Sequence, residues 1–277
     1  MILVNGECKQ HIEISDRGFQ YGDGLFETIE VRNGQPVFLD RHLKRLNTGC
    51  RRLHIPCPDP ELITAEALDL CKGSSLAVLK LIVTRGSGGR GYRQPDLIQP
   101  TRVLSLHPYP DYPSSFGEQG IVARFCTTRL GLNPSLAGIK HMNRLEQILA
   151  RAEWNDPAIQ EGIMMDVNDH IIEGTMSNLF YVKNGSVYTA SLSQSGIAGV
   201  MRSIIIEILS SSHIKTVEKP FKKNEFLSAD EIFVSNSIIG LWPINQIENR
   251  HFSIGPITRQ IQSCLDRLKS GAEASLP

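Results

Sequence analysis

Residues 136–154, LAGIKHMNRLEQILARAEW, read as a loop running into an amphipathic helix. Met142, Leu145, Leu149 and Ala152 recur at helical spacing and predict one buried stripe. The entry to this helix is unusual. Helix N-termini carry partial positive charge and favour acidic side chains, yet the first predicted turn collects Lys140, His141 and Arg144, with Glu146 as the nearby offset. A lysine in an apolar, glycine-bearing setting beside a positive helix end is easily deprotonated, and a neutral amine is what Schiff-base chemistry requires. The plainer alternative is a lysine on a solvated face, so other parts of the chain have to decide.

The bulk properties narrow the field. The 277 residues suit one large domain or two of ordinary size. Hydrophobic residues make up 41% and charged residues 21%, as in a globular protein. The 29 basic side chains balance 29 acidic ones, which leaves no net field to draw the chain to nucleic acid or anionic lipid; a charged ligand must be recognised locally. Cys8, Cys50, Cys57, Cys71, Cys126 and Cys264 form no CxxC pair and no Cys/His cluster at metal-ligand spacing, so neither a disulfide framework nor a metal site is expected. Cys126 and Cys264 read as small core residues. The opening MILVNGECKQ turns polar after four residues, unlike a signal peptide, and no apolar run approaches the roughly 20 residues of a membrane span. The expected compartment is a reducing cytoplasm.

Three Asn-Gly pairs, at 5–6, 33–34 and 184–185, sit between short β-type runs and predict tight hairpins, because type I′ turns need positive φ at both central residues. After the second, Leu39, Leu43, Leu46, Cys50 and Leu53 predict a helix over about 40–53, capped by Asp40 and ended before Pro56. LAVLKLIVTR (76–85) and RVLSLH (102–107) read as strands flanking a glycine-rich loop. HPYPDYPSS (107–115) suits a stiff connector, which divides the chain into an N-terminal α/β domain over 1–106, a linker over 107–116 and a C-terminal domain over 117–277. The second part alternates strands with the helices VMRSIIIEILSSS (200–212) and about 256–269, so the class is α/β (α+β) in two domains.

RGSGGRGY (85–92) contains GxGxxG, but a dinucleotide fingerprint must open a helix, and this loop runs into YRQPD, which has no helical period. Its glycines instead permit sharp turns that lift Arg90 and Tyr92 into view. Asn184-Gly185-Ser186 matches a glycosylation acceptor but is explained by its hairpin. In GIAGVMRSIII, small residues precede a helix whose free Val200 and Met201 amides suit a phosphate. Arg45, just outside the buried stripe of FLDRHLKRL, supplies a guanidinium of matching geometry. Glu173 lies at the end of a strand in DHIIEGTMSNLFYV, just before Ser177 and Asn178. A lysine for an aldehyde, an arginine and a helix end for a phosphate, and an acid for a pyridinium nitrogen together describe a pyridoxal 5′-phosphate site.

The stretches SDRGFQYGDGLFET, RHLKRL, RGSGGRGY, LAGIKHMNRLEQ, EGTMSNLF and AGVMR run in order through nearly the whole chain, and together they resemble the fold-type IV pyridoxal phosphate enzymes. That family includes branched-chain and D-amino acid aminotransferases; the likeness is greatest to its aminodeoxychorismate lyase branch, which makes 4-aminobenzoate for folate biosynthesis. The resemblance implies a two-domain fold holding the cofactor between the domains, a homodimer and a small-molecule substrate. It makes Lys140 the cofactor-linked catalytic lysine and Glu173 the partner of the pyridine nitrogen. Arg45, the amides of Val200 and Met201, and Ser237 would bind the phosphate; relatives often have threonine where Ser237 stands. Aminotransferases of the family commonly carry tyrosine where this chain has Arg144, which favours the lyase branch. By analogy with the substrate loop of D-amino acid aminotransferases, Arg90 and Tyr92 would reach the substrate carboxylates, from the same or the partner subunit. Thr28 and Tyr109 are further substrate-binding candidates. An aminotransferase of the same fold and a protein that only binds the cofactor are the two alternatives.

Overall fold

The computed structural model describes residues 1–270, which divide into two compact units. The first comprises Met1–Asp111 and Ile139–Asn143; the second comprises Tyr112–Gly138 and the chain from Arg144 onward. The lysine-bearing segment therefore counts with the first unit, although the flanking sequence on both sides belongs to the second.

In chain order the first unit contains β1 (Ile2–Val4), β2 (Glu7–Cys8), α1 (Arg17–Tyr21), β3 (Gly24–Arg32), β4 (Gln35–Pro36), α2 (Leu39–Leu53), α3 (Pro60–Cys71), β5 (Leu76–Thr84) and β6 (Thr101–Pro108). Its strands form one sheet in the order β2-β1-β6-β5-β3-β4, every pairing antiparallel. Alternation along the strands gives the sheet two unlike faces. Leu25, Ile29, Val31, Leu79, Leu81, Val83 and Leu104 pack against Leu43, Leu46 and Cys50 of α2 and Ile63, Ala67 and Leu70 of α3, forming one core. Each such leucine or isoleucine contributes about 1.5–3 kcal/mol by leaving water. The opposite face carries Phe26, Thr28, Lys80 and Ile82, all half-buried.

The second unit continues with α4 (Ser115–Gln119), β7 (Ile121–Leu130), α5 (Leu145–Arg151), β8 (Glu161–Asp166), β9 (Ile171–Gly174), β10 (Asn178–Lys183), β11 (Ser186–Ala190), α6 (Val200–Ser211), β12 (Thr216–Lys219), α7 (Lys223–Leu227), β13 (Glu231–Asn236), β14 (Gly240–Ile247), β15 (Arg250–His251) and α8 (Pro256–Ser270). Its mixed sheet runs β12-β11-β10-β13-β14-β7-β8-β9, with β15 beside β14. Ile163, Leu179, Tyr181, Ile232, Val234, Trp242 and Ile244 are among its core residues.

The three Asn-Gly hairpins form as expected, with φ of 51° and 85° at Asn5-Gly6, 48° and 76° at Asn33-Gly34, and 49° and 72° at Asn184-Gly185. Three expectations are corrected. α2 starts one residue before Asp40, and its N-cap is Phe38, at φ 55° with no side-chain hydrogen bond, so Asp40 is a first-turn acid and not the cap. α5 starts only at Leu145, which removes Lys140 and His141 from any helical turn. The anticipated buried stripe is also reversed: Leu145 is 72% exposed and Leu149 61%, while Gln147 and Ala150 turn inward. The inward side of α5 is occupied by a polar contact to Glu173, which leaves the leucines outside.

Candidate active site

In the first unit, Lys140 lies on extended backbone attached to the end of β3. Phe26 N–H donates to Lys140 O at 3.1 Å, Leu25 bridges His141, and Met142 N–H donates to Gly24 O at 3.0 Å. Asn143 Nδ2 donates to Gly22 O at 3.0 Å and closes the segment. A Cβ at Gly24 would stand 2.6 Å from Val83 O and 2.8 Å from Met142 Sδ, so only glycine admits this close approach. Buried Ile139 anchors the preceding position in the core. Lys140 Nζ lies 4.3 Å from the centre of the Phe26 ring. A short added strand, not a helix end, therefore fixes the lysine.

Arg45 projects from α2 toward the core-facing side of β3, where it meets the buried Glu27. Arg45 Nε donates to Glu27 Oε1 at 2.8 Å, its Nη2 pairs with Oε2, and His42 Nδ1 lies 2.6 Å from Oε2. Burial alone would raise the Glu27 carboxyl, but the Arg45 guanidinium and the His42 imidazole bring it down to about 2. Burial holds His42 below its ordinary range, against the pull of Glu27. With Glu27 ionised, His42 is a neutral Nδ1 donor whose buried Nε2 has no hydrogen-bond partner among the described residues.

The glycine-rich loop is pinned from below. Arg17 Nη1 donates to Gly91 O at 3.0 Å and reaches Gly88 O and Arg93 O at 3.4 Å, while Arg17 Nε and Arg85 Nε both donate to Asp23, at 2.9 and 2.7 Å. Burial opposes ionisation of Asp23, but the two guanidiniums, Arg85 foremost, hold it below the usual carboxylate range. Gly86 has φ 81°, and a Cβ there would fall 1.9 Å from Gln99 O. Arg90 and Tyr92 end up exposed at the loop tip, with Tyr92 against Tyr21 at 5.9 Å. Thr28 lies half-buried on β3, and Tyr109 follows β6.

In the second unit, Glu173 is the penultimate residue of β9 and is 3% exposed. Its Oε1 accepts from Gln147 Nε2 at 3.2 Å and its Oε2 from Ile197 N–H at 2.8 Å. Asn178 Nδ2 donates to Ile197 O at 2.8 Å, so both ends of one residue are held. Two residues on, Gly199 caps α6 without any side-chain hydrogen bond, and Val200 and Met201 are its first two residues. A Cβ at Gly199 would sit 2.0 Å from Asn178 Oδ1. Ser237 lies half-buried in the turn between β13 and β14. Arg144 stands at the foot of α5, lowered from its usual range by burial against the opposing charges of Glu173 and Glu146. Fully buried Glu161 underlies the turn after Glu173, accepting from Thr175 Oγ1 at 2.6 Å, Ser177 Oγ at 2.7 Å and Thr175 N–H at 2.9 Å. Burial raises its carboxyl despite those donors.

The first unit thus places Lys140, Arg45 and Thr28 along one strand and its helix, and the second gathers Glu173 with the start of α6. Sequence reasoning assigned no chemistry to Glu27, His42, Gln147, Asn178 or Glu161. Glu27, His42, Gln147 and Asn178 stood inside the diagnostic stretches SDRGFQYGDGLFET, RHLKRL, LAGIKHMNRLEQ and EGTMSNLF, which was the available signal.

The description amino-transferase class IV applies to a family profile that matches residues 24–247. An aminodeoxychorismate lyase of Vibrio harveyi is 38% identical over 270 residues, 96% of this chain and 100% of that protein. The crystal structure of 4-amino-4-deoxychorismate lyase from Pseudomonas aeruginosa superposes with a TM-score of 0.92 at 43% identity, covering 95% of this chain and 97% of that one. A branched-chain amino acid aminotransferase structure from Escherichia coli gives 0.86 at 25% identity over 98% and 94%.

Proposed function

Because the chain belongs to the class IV aminotransferase family, a pyridoxal 5′-phosphate-dependent group, we propose that it is a lyase converting 4-amino-4-deoxychorismate to 4-aminobenzoate and pyruvate. The observation that carries the lyase reading is the near-full-length likeness to lyases at 38% and 43% identity, against 25–30% for aminotransferases over similar spans.

The residues fit the cofactor. Glu173 is a buried carboxylate that accepts from two neutral donors, suited to a protonated ring nitrogen. The start of α6 lacks a side-chain cap, which leaves first-turn amides for an anion. Val200, Met201, Ser237 and Arg45 are assigned to the phosphate, and the Lys140 amine to the aldehyde.

When bound, the cofactor supplies an electron sink for carbanion chemistry next to an amine. The Lys140 amine would remove the proton from the amine-bearing ring carbon of the substrate. Glu173 keeps the ring nitrogen charged while that proton is held. Loss of the enolpyruvyl group from the neighbouring carbon leaves an aromatic ring, and Lys140 returns a proton to the departing enolate. Arg90 and Tyr92 are assigned to a substrate carboxylate, with Thr28 and Tyr109 beside the ring.

The test is product analysis of the purified protein with aminodeoxychorismate and no added keto acid. Equal 4-aminobenzoate and pyruvate are expected, and borohydride should fix the cofactor on the peptide containing Lys140. A strict requirement for a keto acid would instead indicate a transaminase.

The exposed face of α5, with Leu145, Ile148 and Leu149 between 61% and 72% exposed, supports a homodimer, because contiguous apolar side chains at helical spacing are matched by a partner surface. Sedimentation should give a dimer that Leu149→Glu disrupts. No described helix is long and apolar enough to cross a membrane. The six unpaired cysteines support a cytoplasmic location.

A further inference from the structure

Lys80 takes no part in the site as assembled so far. It is the middle residue of β5, paired directly with Thr28 of β3 on one side and Ser105 of β6 on the other. Directly opposed residues share a face, so an ammonium stands between two hydroxyl-bearing residues on the face away from α2 and α3. One row along the same face, Phe26 pairs with Ile82. Lys80 Nζ lies 5.9 Å from the centre of the Phe26 ring, the ring that also receives Lys140 Nζ at 4.3 Å. Two lysines thus converge on one phenyl group.

Lys80 is half-buried, yet it makes no ion pair and no hydrogen bond to any described residue. The acid one row away, Glu30, is engaged by Arg32 Nε at 2.5 Å. An ammonium drawn partly out of water with no carboxylate beside it loses hydration that an aromatic face returns only in part, at about 0.5–1 kcal/mol. The missing partner is an anion that arrives with the ligand.

We infer that Lys80 is a specificity-determining residue that receives one carboxylate of a dianionic ring substrate, with the Thr28 hydroxyl beside it. The inference rests on the lyase reading and deepens it, because a substrate with two carboxylates needs a second cation besides Arg90. Monocarboxylate amines processed through Lys140 have no use for it. The contact forms with substrate and product framework alike, so it belongs to binding and not to proton transfer.

The holoenzyme and its Lys80→Met and Lys80→Arg variants are compared for KM and kcat on aminodeoxychorismate, for the absorption of the bound cofactor, and for inhibition by chorismate, which has the same two carboxylates and a hydroxyl in place of the amine. Lys80→Met is expected to raise KM and the chorismate inhibition constant together, on the order of tenfold. Its kcat should stay within about threefold and its cofactor absorption unchanged, because a purely binding contact acts on KM. Lys80→Arg should restore most of both losses. Unchanged KM and chorismate inhibition in an active Lys80→Met enzyme would overturn the assignment to Lys80 alone. So would loss of the cofactor together with substrate affinity, which marks a structural role. Absence of 4-aminobenzoate from the parent enzyme overturns the lyase reading, and with it the substrate given to Lys80.

Discussion

The two units hold their functional groups by different means. In the first, side chains hold side chains: Glu27 binds Arg45 and His42, and Asp23 binds Arg17 and Arg85. In the second, backbone does most of the holding, through the Ile197 amide on Glu173 and the uncapped start of α6. Ion pairs made in a dry setting depend on protonation and on each partner, since removing one leaves a buried charge behind. Contacts to backbone survive many side-chain changes and depend little on pH. The first unit should therefore answer to acid and to single substitutions cooperatively, and the second should answer locally.

The largest effect expected is on catalysis, from the second unit. Glu173→Gln removes the charge but keeps an acceptor oxygen for the Ile197 N–H, while its NH2 can donate to Gln147 once that amide turns over, so cofactor affinity should change little. The chemical step should slow on the order of 10²–10³-fold, as when a charge-stabilising group is removed elsewhere. Cofactor loss matching the rate loss would show that the acid serves binding, and would remove the contrast between the units.

Next comes Glu27→Gln in the first unit, which takes the negative charge from beside the Arg45 guanidinium and should cost about 3–5 kcal/mol of stability near neutral pH, with weaker cofactor binding. The pH dependence has a definite sign. The Glu27 carboxyl falls from 4.5 to about 2 on folding, so its stabilisation is complete above about 4.5 and is lost as pH drops toward about 2. Denaturation curves of parent and variant should converge over that interval; a constant gap would mean that the charge on Glu27 contributes nothing.

The smallest effect expected is from Asn178→Ala, which removes one neutral hydrogen bond and leaves the Ile197 carbonyl without its donor. A cost of about 1–3 kcal/mol follows. It should stay level between about pH 5 and 8, because neither Asn178 nor the Ile197 carbonyl titrates. A pH-dependent loss there would place the second unit with the first.

These contrasts also explain what could be read from the sequence. The Asn-Gly hairpins were legible because their backbone demands positive φ and few residues supply it. Lys140 and Glu173 were singled out through the diagnostic stretches around them, and the burial of Glu173 agrees with the role proposed for it. The course of α5 was not, because periodicity equates apolar with inward, whereas here Gln147 is drawn inward by Glu173 and the leucines are left outside. Nor could the attachment of Lys140 to β3 be foreseen, since three residues of edge pairing carry no period. The Glu27–His42–Arg45 contact joins a strand to a helix, and nothing local in either element announces the other. Lys80 looked like an ordinary strand lysine until its cross-strand neighbours were known.

Ile197 has one further consequence. Its amide touches the acid and its carbonyl is gripped by Asn178, three residues before the helix proposed for the phosphate. In the proposed site this one residue, through its two flanking peptide groups, would act as a ruler between the two ends of the coenzyme. A pyridoxal analogue whose phosphate arm is one atom longer would meet both ends of the proposed site only if Ile197 lets go of one of its grips, so weaker binding of that analogue is the expected outcome.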